Sequence, residues 1–279
     1  MTLRAVRTYA DDVTAIVSVA DDGGSSGRLR RDLGVFGVGD LRKCLVALGD
    51  DRAVFSRAFE HRFAAGDLNG HALGNLLLVG LAEVTGDWEQ ALAEAGRLIG
   101  AVGRVLPATA EPVVLKAEFD GGEIDGQVAI QNSPHRIRRV ALVPPDAPSP
   151  TAVVDAMMNA DQILLAPGSL FTSLLPALCA RDVQSALAAS SAPIVQIANL
   201  GPQIPETEGL DAADHLDVVL ECVARLDRLV VDPRSRLPID PAVPEARGVQ
   251  LLVADVARPD VGAHAPAKLA RVLAALLES

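Results

Sequence analysis

At 279 residues the chain is long enough for one large domain, or a domain with a small insert, whose core needs no disulfide or metal staple. Hydrophobic residues make up 49% but aromatics only 3%, so the core must be built from Ala, Val, Leu and Ile, a composition that suits helices on a parallel sheet better than a β-sandwich. A net charge of −11 argues against a general surface for nucleic acid or anionic membrane. Three scattered cysteines (Cys44, Cys179, Cys222) offer neither a disulfide framework nor a zinc pattern, and no apolar run reaches the ~20 residues that span a bilayer. The expected setting is the cytoplasm, with no membrane insertion.

In chain order, residues 13–20 are a β-branched run that reads as a strand buried on both faces. It ends in ADDGGSSGR (20–28), a glycine-serine loop. Residues 39–48 (GDLRKCLVAL) predict a helix capped by Asp40. Helical patterns follow over 53–63, 72–85 and 88–98; the second is apolar nearly all round and so central. Past Pro107, VVLKAEF (113–119), EIDGQVAIQN (123–132) and IRRVALVP (137–144) are three strand-like runs divided by glycine turns, a small antiparallel section closed by the proline-rich 143–150. Alternation then resumes: helix 152–159, strand 162–166, helix 170–180, strand 192–198, helix 214–225, strands 228–231 and 249–253, helix 266–277. The sum is a single α/β domain over 1–279 with a β-rich insert at 107–150.

Ligands of open parallel sheets sit outside the carboxyl ends of the strands, where ADDGGSSGR lies. Its glycines and serines can turn backbone N–H groups inward as an anion nest, and Arg28 and Arg30 can add charge-assisted contacts. Asp21 and Asp22 suit either a ribose diol or a Mg²⁺ that bridges phosphates. Together these describe a site for a nucleotide or phosphorylated metabolite; taken alone, the stretch could equally be a turn with an Asx cap. A second loop, LAPGSLFTSLLPAL (165–178), runs strand, Gly168-Ser169 turn, helix start, a geometry that receives phosphate on free amides, without a Walker lysine. A third, NLGPQIPETEGL (199–210), gathers Asn199, Gln203, Glu206 and Glu208 at another strand end. In GHALGNLLL (70–78), Asn75 on an apolar helix needs a partner, since a buried unpaired amide costs about 1–3 kcal/mol. The five histidines show no metal spacing; His71 is expected to orient a loop and His215 to be structural. GxSxG is absent, and Cys44 reads as a packed thiol.

In this order and spacing, ADDGGSSGRLR, GDLRKCL, EHRF (60–63), GHALGNLLL, LAPGSLFTSLLPAL, NLGPQIPETEG and DHL (214–216) resemble the YvcK-type gluconeogenesis factors, within the wider CofD-like (UPF0052) group, over nearly the whole chain. The resemblance implies a Rossmann-like fold, cytoplasmic binding of a UDP-sugar, notably UDP-N-acetylglucosamine, a role in cell shape and envelope growth on gluconeogenic carbon, and a homodimer. The CofD branch instead implies a 2-phospho-L-lactate transferase acting on a deazaflavin with Mg²⁺. Carried over by position, the ligand residues are Asp21, Asp22, Gly23, Gly24, Ser25, Ser26, Gly27, Arg28, Asp40, Arg42, Asn75, Gly168, Ser169, Asn199, Gln203 and Glu206, with Asp21 and Asp22 as Mg²⁺ ligands. Catalytic residues are left unassigned.

The chain departs from the group's pattern in four places. Ala166 stands where the group has the first glycine of its GPGS-like turn. Ile204-Pro205 stands in place of Pro-Gly, and proline cannot copy a left-handed glycine, so a changed loop shape is expected. Ala263 and Pro266 flank His264 where relatives carry a basic residue and a phosphorylatable Thr, so that regulation does not carry over. The group also places an apolar strand, a GGGTG loop and the front of a helix ahead of the stretch matching LRAVRTYADDVTAIV, and an upstream start is expected.

Overall fold

In the computed structural model, which describes residues 1–277, the short β-branched runs form parallel strands and the longer apolar-periodic runs form helices around them. A first turn of helix, α1 (Thr2–Val6), leads to β1 (Thr14–Val17). Five helices follow: α2 (Gly24–Leu33), α3 (Gly39–Leu48), α4 (Val54–Glu60), α5 (Leu73–Thr85) and α6 (Trp88–Leu98). They return the chain to β2 (Arg104–Pro107), which pairs in parallel with β1 from Thr14 opposite Arg104 to Val17 opposite Pro107.

Next comes an antiparallel sheet in the order β4-β3-β5, built from β3 (Val114–Phe119), β4 (Gly122–Asp125) and β5 (Ile137–Val143). A short helix, α7 (Gln127–Gln131), joins β4 to β5. The second half holds α8 (Thr151–Met158), β6 (Ile163–Leu165), a π-helix over Leu170–Leu174 that runs into α9 (Leu175–Leu178), then α10 (Arg181–Ala189) and β7 (Ile194–Ile197). It closes with α11 (Ala212–Cys222), β8 (Arg228–Val231), α12 (Ala242–Ala246), β9 (Gln250–Val253) and α13 (Pro266–Leu277). Its four strands form a parallel sheet in sequence order, β6-β7-β8-β9.

Every residue of β7 is buried, as helices on both faces of a parallel sheet require. By contrast β1 and β6 are half-buried over much of their length, and each has one edge without a strand partner among the described residues. The core is aliphatic, with Phe36, Phe59 and Phe171 as its few large rings; Phe36 lies 4.3 Å from Trp88 between ring centroids. A smaller cluster packs α1 and α13 (Ala5, Leu269, Leu273) against Val195, Ile197 and Val230 of β7 and β8. Among the described residues no helix is long and apolar enough to cross a membrane.

Four local expectations need correction, two of them because a distant partner outweighed local pattern. The second half of the expected 20–28 loop is helix, part of Gly24–Leu33: Gly27 lies so close to the Asp22 carbonyl oxygen that a Cβ would overlap it, and this packing overrides the poor helix propensity of Gly and Ser. Residues 127–131 are helix rather than strand, because both carboxylate oxygens of Asp22 accept from the amides of Gln127 and Val128 at 3.0 Å and cap that helix. The expected helix over 170–180 begins as a π-turn in which the Ser169 carbonyl accepts from both Ser173 and Leu174, ahead of Pro176, which has no N–H to continue a regular ladder. Asp40 occupies the first turn of α3 but caps nothing; it pairs with Lys43 at 2.7 Å.

Candidate functional site

The chain leaves β1 into Asp21 and Asp22 and enters α2 at once. Asp21 Oδ1 accepts from the Gly23 amide at 2.9 Å. Burial pushes its pKa up, the Asp40 charge adds to the rise, and hydrogen bonds from Gly23 and Ser26 partly offset it. No side chain caps α2, so the amides of Gly24, Ser25 and Ser26 donate to no group among the described residues. Those three N–H groups and the helix dipole favour an anion at this point.

Two more helix starts close on the same spot. The Ser25 hydroxyl lies 3.0 Å from His71 Nδ1, and it accepts from the Ala72 amide at 3.3 Å and from Asn75 Nδ2 at 3.1 Å. Asn75 Nδ2 also reaches Ser26 Oγ at 3.5 Å, and its Oδ1 accepts from Arg42 Nε at 3.1 Å. Arg42 is only 7% exposed. Its other bond is to the Phe59 carbonyl at 3.4 Å, and it makes no ion pair among the described residues. Burial pushes its pKa down, yet a guanidinium stays charged at neutral pH. The charges of Glu60, Asp40 and Asp21 favour the cation from a distance without pairing with it, which leaves its desolvation only partly offset. A Cβ at Gly39 would strike Asp21 Oδ2 and Ser26 Oγ, so a larger residue there must displace both side chains. Arg28 is turned aside: its Nη2 donates to the Asn69 carbonyl at 2.6 Å.

The second group forms where β6 and β7 end. Asn199 holds the Gly168 backbone from both sides, accepting its amide at 3.2 Å and donating to its carbonyl at 2.9 Å. Gln203 Oε1 accepts from the Leu170 amide at 3.2 Å. Glu206, 4% exposed, accepts from the amides of Phe171 and Thr172 at 2.7 and 3.2 Å and from the hydroxyls of Ser169 and Thr172. The helix start that resembles a phosphate cradle in sequence is therefore filled by the protein's own carboxylate. Ile204-Pro205 does not prevent the loop from delivering Gln203 and Glu206 to these amides. Glu208 is exposed and outside the group.

Gln127 joins the two groups. Its amide donates to Asp22 Oδ2 at 3.0 Å, and its side-chain Nε2 donates to the Thr172 carbonyl at 3.1 Å. Through Asp22 and Thr172, Gln127 links the group of Asp21, Ser25, Ser26, Arg42 and Asn75 to the group of Gly168, Ser169, Asn199, Gln203 and Glu206, and Arg28 and Asp40 lie by the first. Sequence reasoning missed Gln127 and Thr172; the only hint was Gly126, whose missing side chain lets the Asp22 carboxylate in. Asp22 spends one lone pair of each carboxylate oxygen on an amide of the α7 cap. Among the described residues no three His, Cys, Asp or Glu side chains cluster as metal ligands.

Fold and site together define a Rossmann-like α/β protein with polar loops gathered at the ends of parallel strands. The chain belongs to the CofD family, whose model, described as 2-phospho-L-lactate transferase CofD, matches residues 1–251. It is 40% identical over 292 residues to the "Putative gluconeogenesis factor" of Mycobacterium tuberculosis, a match covering 98% of this chain and 85% of the relative. It is 43% identical over 219 residues to the protein of the same name from Nostoc sp., over 78% of this chain but only 48% of that relative, about half its length. A crystal structure of a UPF0052-family protein from Bacillus halodurans superposes with a TM-score of 0.92 at 35% identity, covering 97% of this chain and 94% of that one.

Proposed function

We propose that this chain binds a nucleotide sugar of the UDP-N-acetylglucosamine class and acts in the cytoplasm as a regulator of the gluconeogenesis-factor type, needed for cell shape and envelope growth on gluconeogenic carbon. One observation carries the binding half: an uncapped helix start, Gly24–Ser26, lies beside a buried Arg42 that has no ion-pair partner among the described residues. Both features favour an anion, even with Glu60, Asp40 and Asp21 nearby. The diphosphate sits on the Gly24–Ser26 amides with Ser26 and Asn75, Arg42 neutralises it, Asp21 takes ribose hydroxyls, and Asn199, Gln203 and Glu206 support the opposite wall. The regulatory half is supported by the names of the relatives. Among the described residues no third acidic, Cys or His side chain joins Asp21 and Asp22 as a metal ligand, and Asp22 already holds the α7 cap, so no step here runs through a metal.

Calorimetry with UDP-N-acetylglucosamine, UDP and GDP tests this reading. Saturable binding of the sugar nucleotide, weakened at least about tenfold in Ser26→Ala, a loss of about 1.4 kcal/mol, is the expected result. No heat with any UDP-sugar would end the proposal. A second reading, transfer of a phospholactyl group to a deazaflavin, is favoured by the description of the family model. It requires phosphorylated deazaflavin product from a phosphoester donor with Mg²⁺; sugar-nucleotide binding without that product leaves the regulator.

A further inference from the structure

Two of the three cysteines face one another, away from the candidate site. Cys179 follows the last turn of α9 and Cys222 is the last residue of α11. Both are half-buried, and both line one surface cavity of about 510 Å³ between β5 and the helices α9, α10 and α11. The two thiols are close enough to shift each other's titration, and the Cys179 thiol donates to the Val140 carbonyl oxygen at 3.5 Å. The cavity wall is largely apolar, with three arginines among its charged groups. Arg139 and Arg181 make no ion pair among the described residues, Arg138 pairs with Asp120, and Glu221 is the only acid in the lining. The neighbouring Cys179 thiol lowers the Cys222 pKa and Arg139 adds to it, against burial and Glu221; Cys222 and burial push the Cys179 thiol up.

We propose that Cys179 and Cys222 form a reversible dithiol modification site that a hydroperoxide closes to a disulfide. The Cys222 thiolate attacks one peroxide oxygen, the O–O bond breaks, and the hydroxide released takes a proton to leave as water. The resulting sulfenic acid is displaced by the Cys179 sulfur: the S–S bond forms, the S–O bond breaks, and a second water carries off the Cys179 proton. Two thiols and one hydrogen peroxide thus become one disulfide and two waters, the thiols supplying two electrons; an external thiol reverses it. The disulfide would have a place in the site's mechanics. The helical run ending at Cys179 starts at the Ser169 loop, and the one ending at Cys222 follows the Glu206 loop, so the bond ties from behind the two segments that Ser169 and Glu206 join in front.

The test treats the full chain with increasing hydrogen peroxide, blocks the remaining thiols with N-ethylmaleimide and maps peptides. The expected result is the joint loss of two thiols, a linked peptide holding Cys179 and Cys222, and full recovery with dithiothreitol. Cys44, whose thiol burial pushes up to about 12, stays reduced as an internal control. Cys222→Ser should slow oxidation of Cys179 at least about tenfold, as expected when the more acidic attacking thiolate is removed. Three results would each overturn the proposal: both thiols surviving peroxide that oxidises free glutathione, one sulfur carried to sulfinic acid with no linked peptide, or disulfides only between chains. If Cys222→Ser fails to fold, the peptide map of the unaltered chain decides alone.

Discussion

Replacing Glu206 by alanine is the sharpest test of how the second loop cluster is held. The carboxylate is 4% exposed and receives two backbone amides and two hydroxyls. In Glu206→Ala the Ser169 and Thr172 hydroxyls keep each other, 2.6 Å apart, but the Phe171 and Thr172 amides lose their acceptor in a buried place. Each stranded amide costs about 1–3 kcal/mol, so the two come to about 2–6 kcal/mol before any lost packing. Glu206→Gln keeps the volume and one carbonyl oxygen for the amides, so it should lose only about 1 kcal/mol. Urea unfolding followed by circular dichroism, with midpoints compared at equal slope, reads both. If Glu206→Ala stays within about 0.5 kcal/mol of the unaltered chain, those amides reach water, and the view that this helix start is closed to an outside anion is wrong.

Other substitutions separate close approach from open space. Gly27→Ala should unfold or strongly destabilise the chain, because its Cβ would overlap the Asp22 carbonyl, whereas Gly80→Ala on α5 meets nothing and should raise stability by about 0.5–1 kcal/mol in the same urea assay. Asp232 is buried and accepts from the amides of Arg234, Val256 and Ala257 while it pairs with the Arg234 side chain; Asp232→Asn turns an acceptor into a donor facing donors and should lose about 2–4 kcal/mol. Asp217→Asn, at an exposed pair with Arg247, should lose no more than about 0.5 kcal/mol. Burial holds the pKa values of His71, His215 and His264 below 6.5 in the fold, so the unfolded chain binds protons first as pH falls. Their contribution is complete above about pH 6.5 and drains away below it. The melting temperature should therefore drop between pH 7 and 5.5, less steeply in His215→Gln; a flat profile would refute this. Asp21, with a raised pKa, acts in the opposite sense, its protonated form being the one the fold favours.

Elements with local signals were legible. The bounds 88–98 follow from Asp87, whose side chain accepts from the Glu89 and Gln90 amides, and 39–48 ends where Gly49 breaks the pattern. The final helix, 266–277, opens on a proline that suits a helix start. Elements made by distant partners were not legible. β2 is four residues ending in proline and exists because β1 lies beside it, 90 residues earlier in the chain at Thr14 and Arg104. α7 exists because Asp22 caps it from 105 residues away. The site shows the same division: the glycine-serine stretch, Asn75 and the Glu206 loop could be picked out by residue type, but Gln127 could not, since nothing around it in sequence marks a bridge.

Composition, periodicity and turn chemistry act between near neighbours, and they were enough to determine the α/β class, the order of most elements and the loops that carry polar groups. Which of two similar helix starts remains open to an anion was decided only by the fold. A carboxylate satisfies an amide from wherever the chain brings it, and here Glu206 reaches the start at Ser169 while no side chain reaches the amides of Gly24–Ser26. That difference lies in through-space distance, which sequence separation does not encode.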